Sequence, residues 1–177
     1  MMIAIEGPDG AGKSTLANDL GLALNRSVYH PGGPAVSEDD FRVRVTAQER
    51  AGDVIHDRLM AISEPIYAGA LARSTYNQVN KAADYWLRNL TFPLYLIYCR
   101  LSSVNEMYDN IDRTAKAHKS PEHIESMRKQ YHNIVDMYDR RLNELAGYEY
   151  PMVKLMVYNW KVHDTDLLIP QIKELRA

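Results

Sequence analysis

The stretch Gly7-Pro8-Asp9-Gly10-Ala11-Gly12-Lys13-Ser14 fills every fixed position of the pattern G-x-x-x-x-G-K-S/T. Glycines at such spacing let backbone N–H groups converge on phosphate oxygens, and a helix start beyond them adds partial positive charge. Lys13 would then reach the β- and γ-phosphates, and the Ser14 hydroxyl would hold Mg²⁺. The pattern needs a strand before it and a helix after it. Met2-Ile3-Ala4-Ile5 is an apolar run of strand length, and the segment from Ser14 places Leu16, Leu20, Ala23 and Leu24 on one helical face. Gly7, Asp9, Gly10, Ala11, Gly12, Lys13, Ser14 and Thr15 are therefore expected to bind ATP. The loop alone leaves kinase, GTPase and motor chemistry open.

Other residues carry chemistry suited to the same ligand. Asp57-Arg58 follows Asp53-Val54-Ile55-His56, read as a strand. A carboxylate there can order magnesium waters or accept a proton, and an arginine can clamp a phosphate through two hydrogen bonds. Ser14 and Asp57 are thus the expected metal-side residues, with a surface ion pair as the bland alternative for Asp57-Arg58. The basic segment Arg113-Thr114-Ala115-Lys116-Ala117-His118-Lys119 lies between two predicted helices. Its place resembles that of the lid in nucleotide kinases, and as a lid over about 113–120 it would neutralise charge and exclude water, with Arg113 first in line to contact phosphate and Lys116 and Lys119 next, each lysine being equally suited to a solvated basic turn. His30 ends a short strand and suits the role of base toward a hydroxyl acceptor, or that of a hydrogen-bonded structural histidine. Arg42 and Arg44 are candidate contacts for an acceptor phosphate. The six histidines show no metal-ligand spacing.

These residues need a frame to hold them. Strands are predicted at Met2–Ile5, Ser27–Tyr29, Asp53–His56, Leu94–Cys99 and Pro151–Tyr158, with helical patterns between them. Pro65 is expected in the first turn of its helix, and Ser37 and Ser120 before the first turns of theirs. Alternating strands and helices imply an α/β fold, a five-stranded parallel sheet flanked by helices, with ligands at the carboxyl ends of the strands. At 177 residues the chain is read as a single domain, 1–177.

Composition removes several classes. With 46% hydrophobic and 25% charged residues the chain is of ordinary globular type, and a net charge of −2 argues against coating nucleic acid through bulk charge. No apolar run approaches the ~20 residues of a membrane span. Cys99 has no other cysteine to pair with, which fits a reducing compartment and an expected cytoplasmic location. The tyrosines and the Met127, Met137, Met152 and Met156 set fit helix and strand faces.

The run from Ile3 to Leu16 closely resembles the opening of thymidylate kinases, including the aspartate inside the loop. In that family the aspartate binds the deoxyribose 3′-hydroxyl of the acceptor, so the resemblance gives Asp9 this role. His30-Pro31-Gly32-Gly33 falls where the family has Glu-Pro-Gly-Gly, with His30 in place of the acid. Asp57-Arg58, Ser63 and Tyr67 resemble the Asp-Arg motif with its later serine and tyrosine, with one residue more between Arg58 and Ser63. The implied acceptor-binding set is Asp9, His30, Arg42, Ser63 and Tyr67, and the implied catalytic set is Lys13, Asp57, Arg58 and Arg113. No aspartate follows the strand at Leu94–Cys99, which leaves Asp57 as the metal-side acid. Tyr158-Asn159-Trp160 falls where the family flanks the adenine, although Trp160 also suits packing.

The resemblance covers most of the chain in order, but Gly33 to Asp57 spans only 24 positions, shorter than the family uses. The missing part would be a helical segment that walls the nucleoside pocket and supports a homodimer, so a more open acceptor side is expected and dimerisation stays open. The resemblance implies a Mg²⁺- and ATP-dependent kinase acting on a pyrimidine deoxynucleotide or deoxynucleoside. The alternative is a kinase for the hydroxyl of a modified pyrimidine, such as 5-hydroxymethyluracil in viral DNA. The stretch Ser63-Glu64-Pro65-Ile66-Tyr67 resembles phage members of that broad group. His30 and the open side favour this alternative, whereas Asp9 and the charge of −2 fit the first reading. A nucleotide-dependent switch is a third reading, disfavoured because the sequence offers no evident water-positioning glutamine.

Overall fold

β1 (Met2–Glu6) is buried along its whole length, and its side chains alternate between two cores: Met2 and Ala4 in one, Ile3 and Ile5 in the other. A strand with no wet face needs helices on both sides. The computed structural model, which describes residues 1–115, 121–147 and 149–174, supplies them. After β1 come α1 (Lys13–Leu24), β2 (Val28–Tyr29), α2 (Glu38–Arg50), β3 (Ile55–Asp57), α3 (Met60–Ala70) and α4 (Tyr76–Arg88). Then follow β4 (Leu94–Cys99), α5 (Val104–Ala115), α6 (Pro121–Leu145), β5 (Val153–Tyr158) and α7 (Thr165–Glu174). The sheet order is β2-β3-β1-β4-β5 with every pairing parallel, as the alternation of strands and helices predicts.

Each face has its own core. Leu16 and Leu20 of α1, Met107 of α5, and Leu168 and Ile172 of α7 cover Ile3, Ile5, Ile97 and Cys99. Phe41 and Val45 of α2, together with residues of α3, α4 and α6, cover Met2, Ala4, Leu96 and Tyr98. None of the described helices is long and apolar enough to cross a membrane.

Strand register assembles the site. Ile5 pairs with Asp57, and Tyr29 with His56. One step further along, the carboxyl ends of β1, β2 and β3 bring Glu6, His30 and Asp57 to one edge of the sheet. Alternation turns Asp57 to the same face as Ile55, toward α1, and turns His56 to the other face. Because β1 has β3 on one side and β4 on the other, this edge is also the point where the connections diverge, the usual ligand crevice of an open α/β sheet.

Two elements differ from expectation in ways that bear on the site. β3 begins at Ile55 rather than Asp53, because Gly52 adopts φ 78° and Asp53 turns outward to pair with Arg26. α3 begins at Met60, so Pro65 lies inside it and not in its first turn. An interior proline costs a helix about 3 kcal/mol. Ten of the eleven α3 residues are buried, and that packing outweighs the lost hydrogen bond. Ser37 does cap α2, its hydroxyl accepting from the Asp40 N–H at 3.1 Å, whereas Ser120 lies outside the described residues.

Candidate functional site

The loop after β1 has the geometry its spelling requires. Gly7, Gly10 and Gly12 take φ of 142°, 79° and 88°. A Cβ on Gly7 would stand 2.4 Å from the Cys99 carbonyl oxygen, and one on Gly10 would stand 2.4 Å from that of Met107. The N-terminus of α1 has no side-chain cap, so its first N–H groups face the loop. Asn110 Nδ2 donates to the Gly10 carbonyl at 2.9 Å, and the Tyr131 hydroxyl donates to that of Asp9, so α5 and α6 both hold the loop. Lys13 Nζ donates to the Pro8 carbonyl at 2.8 Å and lies 3.9 Å from Asp9 Oδ1. Burial pulls the Lys13 ammonium below its ordinary pKa and Arg58 adds to this, while Asp9 and Glu6 oppose it.

Asp57 joins the loop to β2. The Ser14 hydroxyl donates to its Oδ2 at 2.7 Å, and His30 Nδ1 lies 3.2 Å from the same oxygen. Asp57 Oδ1 is buried without a hydrogen-bond partner. A buried carboxylate oxygen beside a serine hydroxyl and a phosphate loop fits magnesium, which takes one or two protein oxygens and fills its remaining positions with phosphate and water. Among the described residues no cluster of three or more His, Cys, Asp or Glu could hold an ion.

Arg58 stands where two cavities meet. It adopts φ 80°, a left-handed conformation that costs a residue with a Cβ about 1–3 kcal/mol. From there its guanidinium pairs with the Asp9 carboxylate and lies over the Tyr67 ring, 5.1 Å from the centroid. A cavity of about 780 Å³ opens on one side, lined by the loop, Thr15, Asn110, Tyr158 and Trp160. A cavity of about 160 Å³ lies on the other, lined by Pro31 to Pro34, Ser63, Glu64, Tyr67 and Arg73. Arg58 lines both.

Set against solved structures, the whole chain superposes on proteins that handle nucleotides. A deoxyadenosine kinase from M. mycoides with bound dATP aligns at TM-score 0.66 and 17% identity, covering 100% of each chain. The same kinase with products dCMP and a flexible dCDP bound gives 0.63 and 18%, covering 98% of this chain and 97% of that one. The YorR protein from Bacillus subtilis, in complex with phosphorylated GDP, gives 0.64 and 17%, covering 99% and 95%. The chain shares the fold of these structures, an α/β fold with a five-stranded parallel sheet flanked by helices. No family model matches it, and no curated protein matches its sequence.

Within this fold most of the residues singled out by sequence converge. Asp9, Lys13 and Arg58 form one connected group and Ser14, His30 and Asp57 a second beside it, and Ser63 and Tyr67 line the smaller cavity. Trp160 packs against Gly12, where a Cβ would meet its ring at 3.0 Å. Arg42 is not brought in: its guanidinium bonds Glu38 on the exposed face of α2. Arg44 instead donates to the Gly33 carbonyl at 2.7 Å and to Asp40, ordering the loop after His30. Arg113 falls in the last turn of α5, where its side chain is outside the described part, and Lys116 and Lys119 are outside the described residues.

Two participants are not legible as site residues in the sequence. Glu6, fully buried, accepts from the Leu59 N–H and, at 3.1 Å, from the Tyr138 hydroxyl. Gln48, also fully buried, bonds the backbone around Arg58. Its signal was its position, since Phe41, Val45 and Gln48 form one helical stripe with a glutamine where a hydrocarbon would be expected.

Glu6 and the neighbouring His56 give opposite pH dependences of stability. Burial raises Glu6 from 4.5 to about 7, against the opposing Leu59 N–H, Arg58, Lys13 and Tyr138. The folded protein therefore keeps a proton that the unfolded chain has released, and stability falls as pH rises through that window. Burial lowers His56 from 6.5 to about 4, so the unfolded chain holds the extra proton and stability falls as pH drops through its window. Each effect amounts to roughly 3 kcal/mol over its window, and between pH 4.5 and 6.5 they oppose each other. Urea unfolding of Glu6→Gln across pH 4 to 7 is expected to show stability rising with pH, and that of His56→Leu to show it falling. Equal slopes in the two variants would contradict these assignments.

Proposed function

We propose that the chain is an ATP-dependent kinase that transfers the γ-phosphate to a hydroxyl of a pyrimidine deoxynucleoside-type acceptor. The observation that carries this reading is the meeting of two cavities at Arg58, beside the connected Ser14, Asp57 and His30 side chains. The larger cavity takes ATP along the loop, and the smaller takes the acceptor. The loop N–H groups, Lys13 and Arg58 neutralise charge on the moving phosphoryl group. His30 accepts the hydroxyl proton as the new oxygen–phosphorus bond forms, Asp57 orients the imidazole, and ADP leaves. Magnesium, held on the Ser14 and Asp57 side, would supply further neutralisation of the β- and γ-oxygens. Residues 1–177 are taken as a single domain, and the lid expected over about 113–120 lies largely outside the described residues.

A hydroxyl acceptor is favoured over an acceptor phosphate because the arginines bordering the smaller cavity or its loop already face carboxylates. Arg44 is paired with Asp40 and Arg73 with Glu64. A product dCMP in the M. mycoides kinase agrees with phosphorylation of a nucleoside hydroxyl. A second reading, transfer to the hydroxyl of 5-hydroxymethyluracil in DNA, is favoured by one feature: the His30 side chain is 59% exposed, open enough for a base carried on a polymer.

Labelled ATP offered with thymidine, deoxycytidine, dTMP and DNA containing 5-hydroxymethyluracil tests the proposal. Label on a free nucleoside is the expected result, label on DNA alone would replace the first reading by the second, and label on dTMP would restore a phosphate acceptor. ATP hydrolysis with no labelled acceptor would mean a switch. With the accepting substrate, His30→Gln is expected to lower kcat roughly 10²-fold, the low end for a general base because water reaches the same position. An unchanged kcat would make His30 structural.

A further inference from the structure

We infer that Gln48 is a positioning residue for phosphoryl transfer, holding Arg58 in the left-handed backbone conformation from which its guanidinium reaches the boundary between the two cavities. The inference rests on the kinase reading for its activity readout. Its cause is purely geometric. The single Gln48 amide spans the turn between β3 and α3: Nε2 donates to the Arg58 carbonyl at 2.9 Å, and Oε1 accepts from the Met60 N–H at 2.8 Å. The Leu59 N–H between them goes to Glu6, and the Arg58 N–H goes to the Ile5 carbonyl at 3.0 Å. The turn is thus held from α2 by a neutral amide and from β1 by a carboxylate and a backbone carbonyl.

An arginine with φ 80° does not stay there by its own preference. Relaxing it to the ordinary right-handed or extended region would swing its Cβ, and with it the guanidinium that now lies between Asp9 and Tyr67. Only a side chain carrying both a donor and an acceptor can satisfy the Arg58 carbonyl and the Met60 N–H at once, and glutamine supplies both. A hydrocarbon of similar length would fill the same space in the stripe with Phe41 and Val45 while releasing both backbone groups. A residue that merely glued α2 to α3 would affect stability and leave the rate per folded molecule untouched.

The test is a double-mutant cycle between Gln48→Met and Arg58→Ala in the full chain, reading kcat, KM for ATP and urea unfolding. Gln48→Met is expected to lower kcat roughly 10- to 100-fold, the usual scale for misplacing a reacting group by about an ångström, with KM for ATP within about twofold of wild type. In the Arg58→Ala background the same change is expected to add no further loss, since the group it positions is gone. If Gln48→Met fails to fold, Gln48→Glu keeps the acceptor for Met60 and removes the donor for Arg58, and the same non-additive loss is expected. Additive losses in kcat, or a variant that loses stability and keeps kcat, would overturn the inference alone. A wild-type protein that phosphorylates none of the acceptors would overturn the kinase reading, and the positioning role of Gln48 with it.

Discussion

Lys13→Ala is expected to lower phosphoryl transfer roughly 10³-fold at saturating ATP while leaving the fold intact. Without nucleotide the ammonium is held by its own loop, through the Pro8 carbonyl at 2.8 Å and, more distantly, the Asp9 carboxylate at 3.9 Å. Neither contact ties it to a separate element, so a change of rotamer suffices to move it onto phosphate. Burial already disfavours its charged form, with Arg58 adding to that and Asp9 and Glu6 opposing it. Removing it therefore relieves a desolvation cost, and the thermal midpoint should be unchanged or raised. The comparison needs both measurements, label transfer at saturating ATP and thermal unfolding, on the same preparation. Activity retained at saturating ATP would remove the loop lysine from the mechanism. A collapse of the fold would instead show that the Pro8 contact is structural.

How much of this site can be read from sequence depends on the distance over which its contacts run. β4 is found residue for residue as Leu94–Cys99, because a strand buried on both faces leaves a continuous apolar run that needs no context. The phosphate loop is legible for a similar reason: its chemistry is carried by neighbouring residues. Glu6 and Gln48 are different. Leu59 lies 53 positions from Glu6, and Gln48 reaches Arg58 and Met60 across 10 and 12 positions. Their roles appear only once β1, α2 and α3 are packed. The left-handed Arg58 and the proline inside α3 have the same origin, since each is a local preference overruled by burial around it. Arg42 and Arg44 illustrate a narrower limit. Two positions apart on a helix they point to nearly opposite sides, and each has an acidic partner four residues before it. Periodicity says that one faces the site but not which, and the Gly33 carbonyl decides for Arg44.

Asp57→Asn carries the second large effect, an expected loss in kcat of roughly 10³-fold or more. The substitution keeps the shape and removes the charge from a carboxylate with two distinct tasks. Its Oδ2 receives the Ser14 hydroxyl at 2.7 Å and faces His30 Nδ1 at 3.2 Å, whereas its buried Oδ1 has no partner. If the new amide nitrogen takes the place of Oδ2, it sets a donor against His30 and Ser14 and turns the imidazole out of position. If it takes the place of Oδ1, it puts a donor where a magnesium-side acceptor is needed. Both arrangements impair transfer, and they are separable by titration. Loss on the metal side raises the Mg²⁺ concentration needed for half-maximal rate and is partly recovered at high Mg²⁺. Loss through His30 is indifferent to Mg²⁺ and is not deepened by adding His30→Gln. Folding should survive, because a buried carboxylate oxygen without a partner costs the native state desolvation that an amide largely avoids. A change confined to acceptor KM would assign Asp57 to shaping the smaller cavity and take it out of both catalytic tasks.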